Sequence, residues 1–303
     1  AFDDAEVFVV TPSWVSYEPQ AKLAKLKTTR INTNFESRWR LTPELLEDAC
    51  AKRQDKNLPG ILILNYPGNP DGLSYTADEL KALSSVFRKY NILVISDEIY
   101  GLLNHFGRHT SIAQFYPEGT IVTTGLSKWC GAGGWRLGVG LFPKTINASF
   151  KQTVIGIASE TYSCATTPVQ FAAIKAYQVT AEIENYLFHQ RRILNLCASY
   201  MYEELKSVGI KLHEPEGGFY LNPDFSALSD KLKNKNIETN EQLCAQLLKD
   251  TCVAILPGNA FGYKPTDLIA RIAYVDFNGT NAIKASESIS TTERLNKTFL
   301  NDY

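Results

Sequence analysis

The sequence has no paired-cysteine motif. Its six cysteines (Cys50, Cys130, Cys164, Cys197, Cys244 and Cys252) are scattered without a C-x-x-C pair, and only four histidines accompany them. A thiolate–imidazole zinc site and a small disulfide framework are therefore not indicated, and reduced thiols in a cytoplasmic protein are expected. Three N-x-S/T matches, at Asn147, Asn278 and Asn296, are a number that chance readily gives and do not outweigh that reading. Long hydrophobic runs are missing too: no stretch approaches the roughly 18 consecutive apolar residues of a membrane helix. The opening AFDDAEVFVV has neither the basic start nor the long apolar middle of a signal peptide. Charge of one sign is absent as well. The 31 Lys and Arg face 32 Asp and Glu, leaving a net charge of -1, so there is no electrostatic footprint for a polyanion and no nucleic-acid partner is expected. With 19 Gly and 13 Pro among 303 residues, 44% hydrophobic and 21% charged, the chain is neither fibrous nor disordered. Its length suggests two domains, placed at residues 1–185 and 186–303. The chain opens at Ala1 and at once enters a strand-like run, so a preceding segment is expected.

What is present is an alternation of short apolar runs with amphipathic stretches. The runs are residues 6–10, 61–65, 92–96, 120–124 and 137–142; between them residues 42–53 (TPELLEDACAKR) and 76–90 (TADELKALSSVFRKY) each open on Thr with an acidic first turn and then carry apolar residues at helical spacing. That pattern predicts a mostly parallel α/β sheet with helices on both faces, the two helices serving as crossovers. Residues 181–208 predict one long amphipathic helix, residues 211–224 a strand pair, and residues 240–251 another helix, together a smaller α+β domain. Residues 226–241, rich in Lys, Asp and Asn, read as a surface excursion with no function.

An open parallel sheet delivers functional residues at the carboxyl ends of its strands. Those ends are polar here: NYPGNPDG (65–72), SDEIY (96–100) and GLSKWCGAGGWRLG (125–138). Taken singly, Asn69 reads as a turn former and Asp97 as a helix cap. Lys128 sits among small and apolar residues, where desolvation favours a neutral, nucleophilic amine. The glycine run is no dinucleotide fingerprint: Gly131 and Gly133 are followed by Arg136 where G-x-G-x-x-G needs its third glycine.

Together the motifs acquire a family. N-P-x-G at Asn69, D-E-x-Y at Asp97 to Tyr100, S-K at Ser127 and Lys128, and G-W-R-x-G around Arg136 resemble the class I/II aminotransferases, the fold type I enzymes of aspartate aminotransferase type. TPSWVSY (11–17), GGFYLNPDFS (217–226), VAILPGNAFG (253–262) and RIAY (271–274) continue the resemblance in family order along nearly the whole chain. It implies pyridoxal 5'-phosphate as cofactor, amino acid and 2-oxo acid substrates, and a homodimer with a shared active site. By the same resemblance Lys128 forms the Schiff base with the cofactor and Asp97 pairs with its ring nitrogen. Tyr100 and Asn69 bond its phenolic oxygen, Ser127 and Arg136 hold its phosphate, and Trp14 covers a ring face. Arg271, with Asn69, receives the substrate carboxylate, a task that suits a forked guanidinium.

The resemblance also marks departures. The family's stretch before residue 6 is lacking; it carries a phosphate-binding helix N-terminus and a tyrosine that reaches the partner subunit's phosphate, so the chain alone is expected to bind the cofactor weakly. Gly125 stands where a hydroxyl residue donates to the phosphate, and Asp71 stands where Ser or Thr is usual, adding a negative charge near the cofactor loop. The implied reaction is transamination. A lyase or synthase of the same fold, or a non-catalytic truncated relative, remains the alternative. Aspartate, alanine and aromatic donors all stay open, aspartate being favoured through general similarity.

Overall fold

The computed structural model describes residues 4–301; Ala1 to Asp3 and Asp302 to Tyr303, the outer edges of the two predicted domains, lie outside the described residues. The strands of the larger sheet are β1 (Glu6–Thr11), β2 (Lys27–Asn32), β3 (Gly60–Asn65), β4 (Ile92–Asp97), β5 (Thr120–Gly125) and β6 (Gly138–Leu141), in the order β2-β1-β3-β4-β5-β6. The first five run parallel, and β6 returns antiparallel to β5. Each buried strand has two apolar faces. In β1, Phe8 and Val10 join one core with Leu62 and Val94, whereas Val7 and Val9 join Ile61 on the other side. Strands buried in this way read as continuous apolar runs, which is why they were visible in the sequence. β2 was not: KTTRIN is mostly polar and closes the sheet as an edge strand, where charge discourages further pairing.

Three helices cover the sheet between its strands: α1 (Tyr17–Leu23), α2 (Pro43–Ala51) and α3 (Ala77–Tyr90). The start of α3 is fixed by a reciprocal cap. Thr76 Oγ1 accepts the Glu79 amide at 3.2 Å and Glu79 Oε2 accepts the Thr76 amide at 2.7 Å. Leu80, Leu83 and Phe87, at three- and four-residue spacing, then face the sheet and are fully buried. After β6 come α4 (Ala148–Thr161), α5 (Thr167–Ala176) and the long α6 (Ala181–Ser207).

The C-terminal part is built on a three-stranded antiparallel sheet, with β7 (Tyr220–Leu221), β8 (Leu256–Pro257) and β9 (Ala270–Ala273) in the order β7-β9-β8. Around it lie α7 (Ser229–Lys233), α8 (Asn240–Thr251), α9 (Gly279–Glu287) and α10 (Lys297–Leu300). The strand pair predicted for residues 211–224 is corrected: Lys211 and Asp224 form a single bridge, and Tyr220–Leu221 pairs instead with Ala273 and Ile272 of β9. A local hairpin loses here to a longer-range partner. Leu187, Ile193, Leu194 and Ala198 of α6 pack in one core with Leu126, Trp129 and Tyr100 of the large sheet's loops and with Tyr220, Leu221 and Ala282. Among the described residues, no helix is long and apolar enough to cross a membrane.

Candidate active site

The parallel register brings the carboxyl ends of three neighbouring strands level. Asn65 pairs with Asp97 across β3 and β4, and Asp97 with Thr123 across β4 and β5. Immediately beyond these ends lies a cavity of about 510 Å³, and all eight residues singled out from the sequence line it: Trp14, Asn69, Asp97, Tyr100, Ser127, Lys128, Arg136 and Arg271. The first seven come from the large sheet, Asp97 from the end of β4 and the other six from its loops. Arg271 comes from β9 of the small one, 202 positions from Asn69, and its Nη1 donates to Asn69 Oδ1 at 3.0 Å.

Asp97 is held on both oxygens. Tyr17 Oη donates to Oδ2 at 2.5 Å, and the Ile99 amide donates to Oδ1 at 3.2 Å. Burial pushes the Asp97 carboxyl above its ordinary range, while these two bonds and the nearby Lys128 ammonium pull it back. The Lys128 amine is displaced the other way. Desolvation lowers it first, the guanidinium of Arg271 adds to that, and Asp97 opposes. Its Nζ lies over two aromatic rings, 5.6 Å from the ring centre of Tyr100 and 5.8 Å from that of Phe219, at the outer limit of cation–π contact.

Tyr100 is fully buried, and its hydroxyl meets that of Tyr220 at 3.0 Å; burial and this neighbour push its phenol up, so it stays protonated. Arg271 lies flat over Tyr220, 4.3 Å from guanidinium carbon to ring centre, with Phe261 at 5.0 Å on another side. Its Nε is buried without a hydrogen-bond partner. A buried donor left unmade is costly and marks a place where an acceptor is wanted. Arg136 is exposed and takes a left-handed backbone (φ 54°), with Nη1 donating to the Gly133 carbonyl at 2.6 Å. Trp14 stands edge-on to Tyr17, ring centres 5.2 Å apart.

The structure qualifies the expectation at Asp71 and explains the glycine at position 125. Asp71 does not add an uncompensated charge: it is buried against Arg40, Nη2 to Oδ1 at 2.5 Å, with both side chains about 5% exposed. Burial raises the Asp71 carboxyl, and Arg40 pulls it back. At Gly125 a Cβ would come within 2.7 Å of the Leu137 carbonyl, so the returning strand leaves no room for a hydroxyl residue. Sequence reasoning missed Tyr17, Tyr220 and Arg40. Tyr17 and Tyr220 lay inside quoted motifs, and Tyr17 follows Trp14 by one helical turn, but no spacing shows that a phenol points at Asp97 or at Tyr100. Arg40 and Asp71 carry no mutual signal at all.

Comparison with known proteins assigns this fold to a family. The family described as aminotransferase class I and II matches residues 1–278, and the chain belongs to it. Among curated relatives, the aspartate aminotransferase of Geobacillus stearothermophilus is 36% identical over 85% of this chain and 63% of its own length, and the asparagine–oxo-acid transaminase of Streptococcus mutans is 35% identical over 85% and 63%. Among solved structures, the aspartate aminotransferase of Thermus thermophilus with maleate superposes with a TM-score of 0.80 at 25% identity, covering 95% of this chain and 69% of that one. An aromatic aminotransferase of Pyrococcus horikoshii gives 0.78 at 28%, covering 94% and 72%. The chain spans 63–65% of the length of the Geobacillus and Bacillus aspartate aminotransferases it matches.

Proposed function

We propose that the cavity is the pyridoxal 5'-phosphate site of an aminotransferase that moves an amino group from an L-amino acid to a 2-oxo acid. The observation that carries this reading is the pairing of a lysine whose amine is biased toward neutrality with a facing, doubly held carboxylate, beneath an arginine with an unmet buried donor. The donor set suits the cofactor group by group. An amine is present for its aldehyde, a carboxylate for its ring nitrogen, and a phenol and an amide for its phenolic oxygen. A guanidinium and a hydroxyl serve its phosphate, and the Trp14 indole its ring face.

When bound, the cofactor supplies an electron-withdrawing ring that makes the substrate's α-proton acidic. The chain's own residues do the rest. Arg271 takes the substrate α-carboxylate as a two-pronged donor, with Asn69 beside it, and so fixes which α-bond faces Lys128. Lys128 Nζ, its amine biased toward neutrality by desolvation and the neighbouring guanidinium, takes the α-proton and later returns one. Asp97, oriented by Tyr17 and Ile99, would pair with the ring nitrogen. Tyr100 and Phe219 flank Lys128 with their rings.

The named relatives make aspartate the first donor to test. A homodimer, a cytoplasmic location and a division of the chain at residue 185, in the first turns of α6, belong to the same reading; the separation of the six-stranded sheet before that point from the three-stranded sheet after it supports the division. The test is product analysis of the purified chain with pyridoxal 5'-phosphate, an amino acid and 2-oxoglutarate. Formation of an oxo acid and glutamate supports transamination, release of ammonia instead supports a lyase, and absence of both with retained cofactor binding supports a non-catalytic relative.

A further inference from the structure

We propose that Arg40 is a positioning residue for this site: its buried pair with Asp71 holds the turn at residues 65–73 in the one conformation that aims the Asn69 amide at Arg271 and the cavity. The inference rests on the functional reading above only for its link to the cofactor; the geometry of the turn stands by itself.

Beyond Asn65, the last residue of β3, the turn contains no helix or strand, so other contacts must define it. Two backbone bonds close it, Gly68 N–H to the Leu73 carbonyl and Gly72 N–H to the Gly68 carbonyl, each 2.9 Å, and Asn69 lies inside both closures. Arg40 grips the same ring from outside. Its Nη1 donates to the Leu73 carbonyl at 3.2 Å and its Nη2 to Asp71 Oδ1 at 2.5 Å, while Asp71 Oδ1 also accepts the Leu73 amide at 2.7 Å. The guanidinium is in turn fixed by Nε donating to the Arg38 carbonyl at 3.0 Å and by the Tyr75 ring, 5.0 Å away. A Cβ at Gly68 would meet Asp71 Oδ1 at 2.5 Å, so the carboxylate occupies the place of a side chain there.

The grip is passed to the other half of the site. The Gly72 carbonyl accepts both the Glu216 and the Gly217 amides, at 2.8 and 2.9 Å, and Gly72 sits at φ +70° where a Cβ would come within 2.7 Å of the Tyr220 carbonyl. Glu216 adds its carboxylate to the Ser74 amide at 2.8 Å and to Arg38 at 2.7 Å. This segment leads into Tyr220, whose hydroxyl meets Tyr100. Burying two ions is a poor way to gain stability, because desolvation offsets most of their attraction. Its gain is direction: an ion pair bonded on every side has one arrangement, and an apolar pair of the same volume has several.

The test uses Arg40→Met together with Asp71→Asn, which removes both charges so that neither ion is left alone and buried. Two measurements are made on the 303-residue chain: amide hydrogen exchange, and affinity for pyridoxal 5'-phosphate with and without Asn69→Ala. The expected result is exchange at least about tenfold faster at residues 68–73 with β1, β3 and β4 unchanged. Asn69→Ala is expected to weaken cofactor binding in the parent but to change it by less than about twofold in the double variant, because the amide is already misdirected there. Unchanged exchange at residues 68–73, or exchange accelerated throughout the sheet, overturns the proposal. So does an Asn69→Ala penalty as large in the double variant as in the parent. If the parent binds no cofactor, the functional reading fails and the exchange result alone decides the positioning claim.

Discussion

Tyr17 and Asp97, 80 positions apart in sequence, are joined by a 2.5 Å hydrogen bond from phenol to carboxylate, at the end of a β-strand where burial alone would favour the neutral acid. The phenol is itself buried and pushed well above its ordinary value by desolvation and by Asp97, so the proton of this bond stays on the tyrosine. A neutral donor thus stabilises the anion without adding a competing charge.

Tyr17→Phe removes that donor. The Asp97 carboxyl, already raised by burial, is then expected to rise further, so that it gains its charge only at higher pH. A carboxyl-carbon NMR titration of the labelled chain reads this directly, and an unmoved Asp97 midpoint refutes the role given to Tyr17. The lost bond is also expected to cost about 1.5–3 kcal/mol of folding stability, as for other hydrogen bonds to charged groups.

Lys128 is expected to be the lysine that pyridoxal 5'-phosphate marks after borohydride reduction, because its amine is lowered by desolvation and by Arg271. Peptide mapping that finds the label elsewhere removes the assignment. The signs of two variants follow. Arg271→Met takes away a neighbouring positive charge and raises the Lys128 amine, slowing its carbonyl chemistry at neutral pH. Asp97→Asn takes away the opposing negative charge and lowers it further.

The same Asp97→Asn variant is expected to keep its cofactor and lose transamination, since an amide cannot hold a proton on a ring nitrogen by charge. Visible absorbance follows the first property and oxo-acid formation the second. Turnover near that of the parent would remove Asp97 from the proposed chemistry.

Gly125→Ser tests the reading of that position as a lost phosphate donor. Its Cβ would meet the Leu137 carbonyl at 2.7 Å, and backbone on a paired strand cannot step aside easily. A loss of about 1–3 kcal/mol, the usual scale of overpacking, is expected in urea unfolding, together with weaker rather than tighter cofactor binding. A stabilised variant with improved affinity would show that the strand has room.

Glu98 supplies a pH dependence. Burial would raise its carboxyl, but hydrogen bonds from His109 at 2.7 Å, Ser111 at 2.6 Å and Ser96 at 2.8 Å outweigh this and hold it below the ordinary range. A carboxyl lowered in the folded state contributes stability above its unfolded value, about 4.3, that is lost as pH falls through the folded value. Glu98→Gln is expected to flatten stability against pH in that acidic window, and an unchanged slope would assign the acid sensitivity to another group.

The parts of this molecule legible in the sequence were those specified locally. The apolar runs of β1, β3, β4 and β5 and the capped helices α2 and α3 declare themselves because period, cap and burial agree. Seven of the eight site residues were legible for a different reason: they sit in short motifs at or after the ends of the large sheet's strands, which a parallel sheet gathers whatever the rest does, whereas Arg271, inside β9, was legible only through the family resemblance. β2 was hidden by the polarity of an edge strand. The partners of β7 and β9 lie some fifty residues apart; the pair Tyr17–Asp97 joins the start of α1 to the end of β4, and Arg40–Asp71 joins two loops. Such contacts depend on tertiary geometry, which no window of sequence contains.

Arg271 gives one N–H to Asn69 Oδ1 and keeps an unmet Nε, so with five donors in its fork it can hold a ligand while the bond to Asn69 stays in place. A neutral carbonyl or alcohol would accept one such bond at ordinary strength. A carboxylate offers bonds about twice as strong and can take two at once. On the proposed reading, a ligand carrying an acid group is therefore expected to be held beside Lys128 better than a simple amine, by a guanidinium that Asn69 has oriented before any ligand enters.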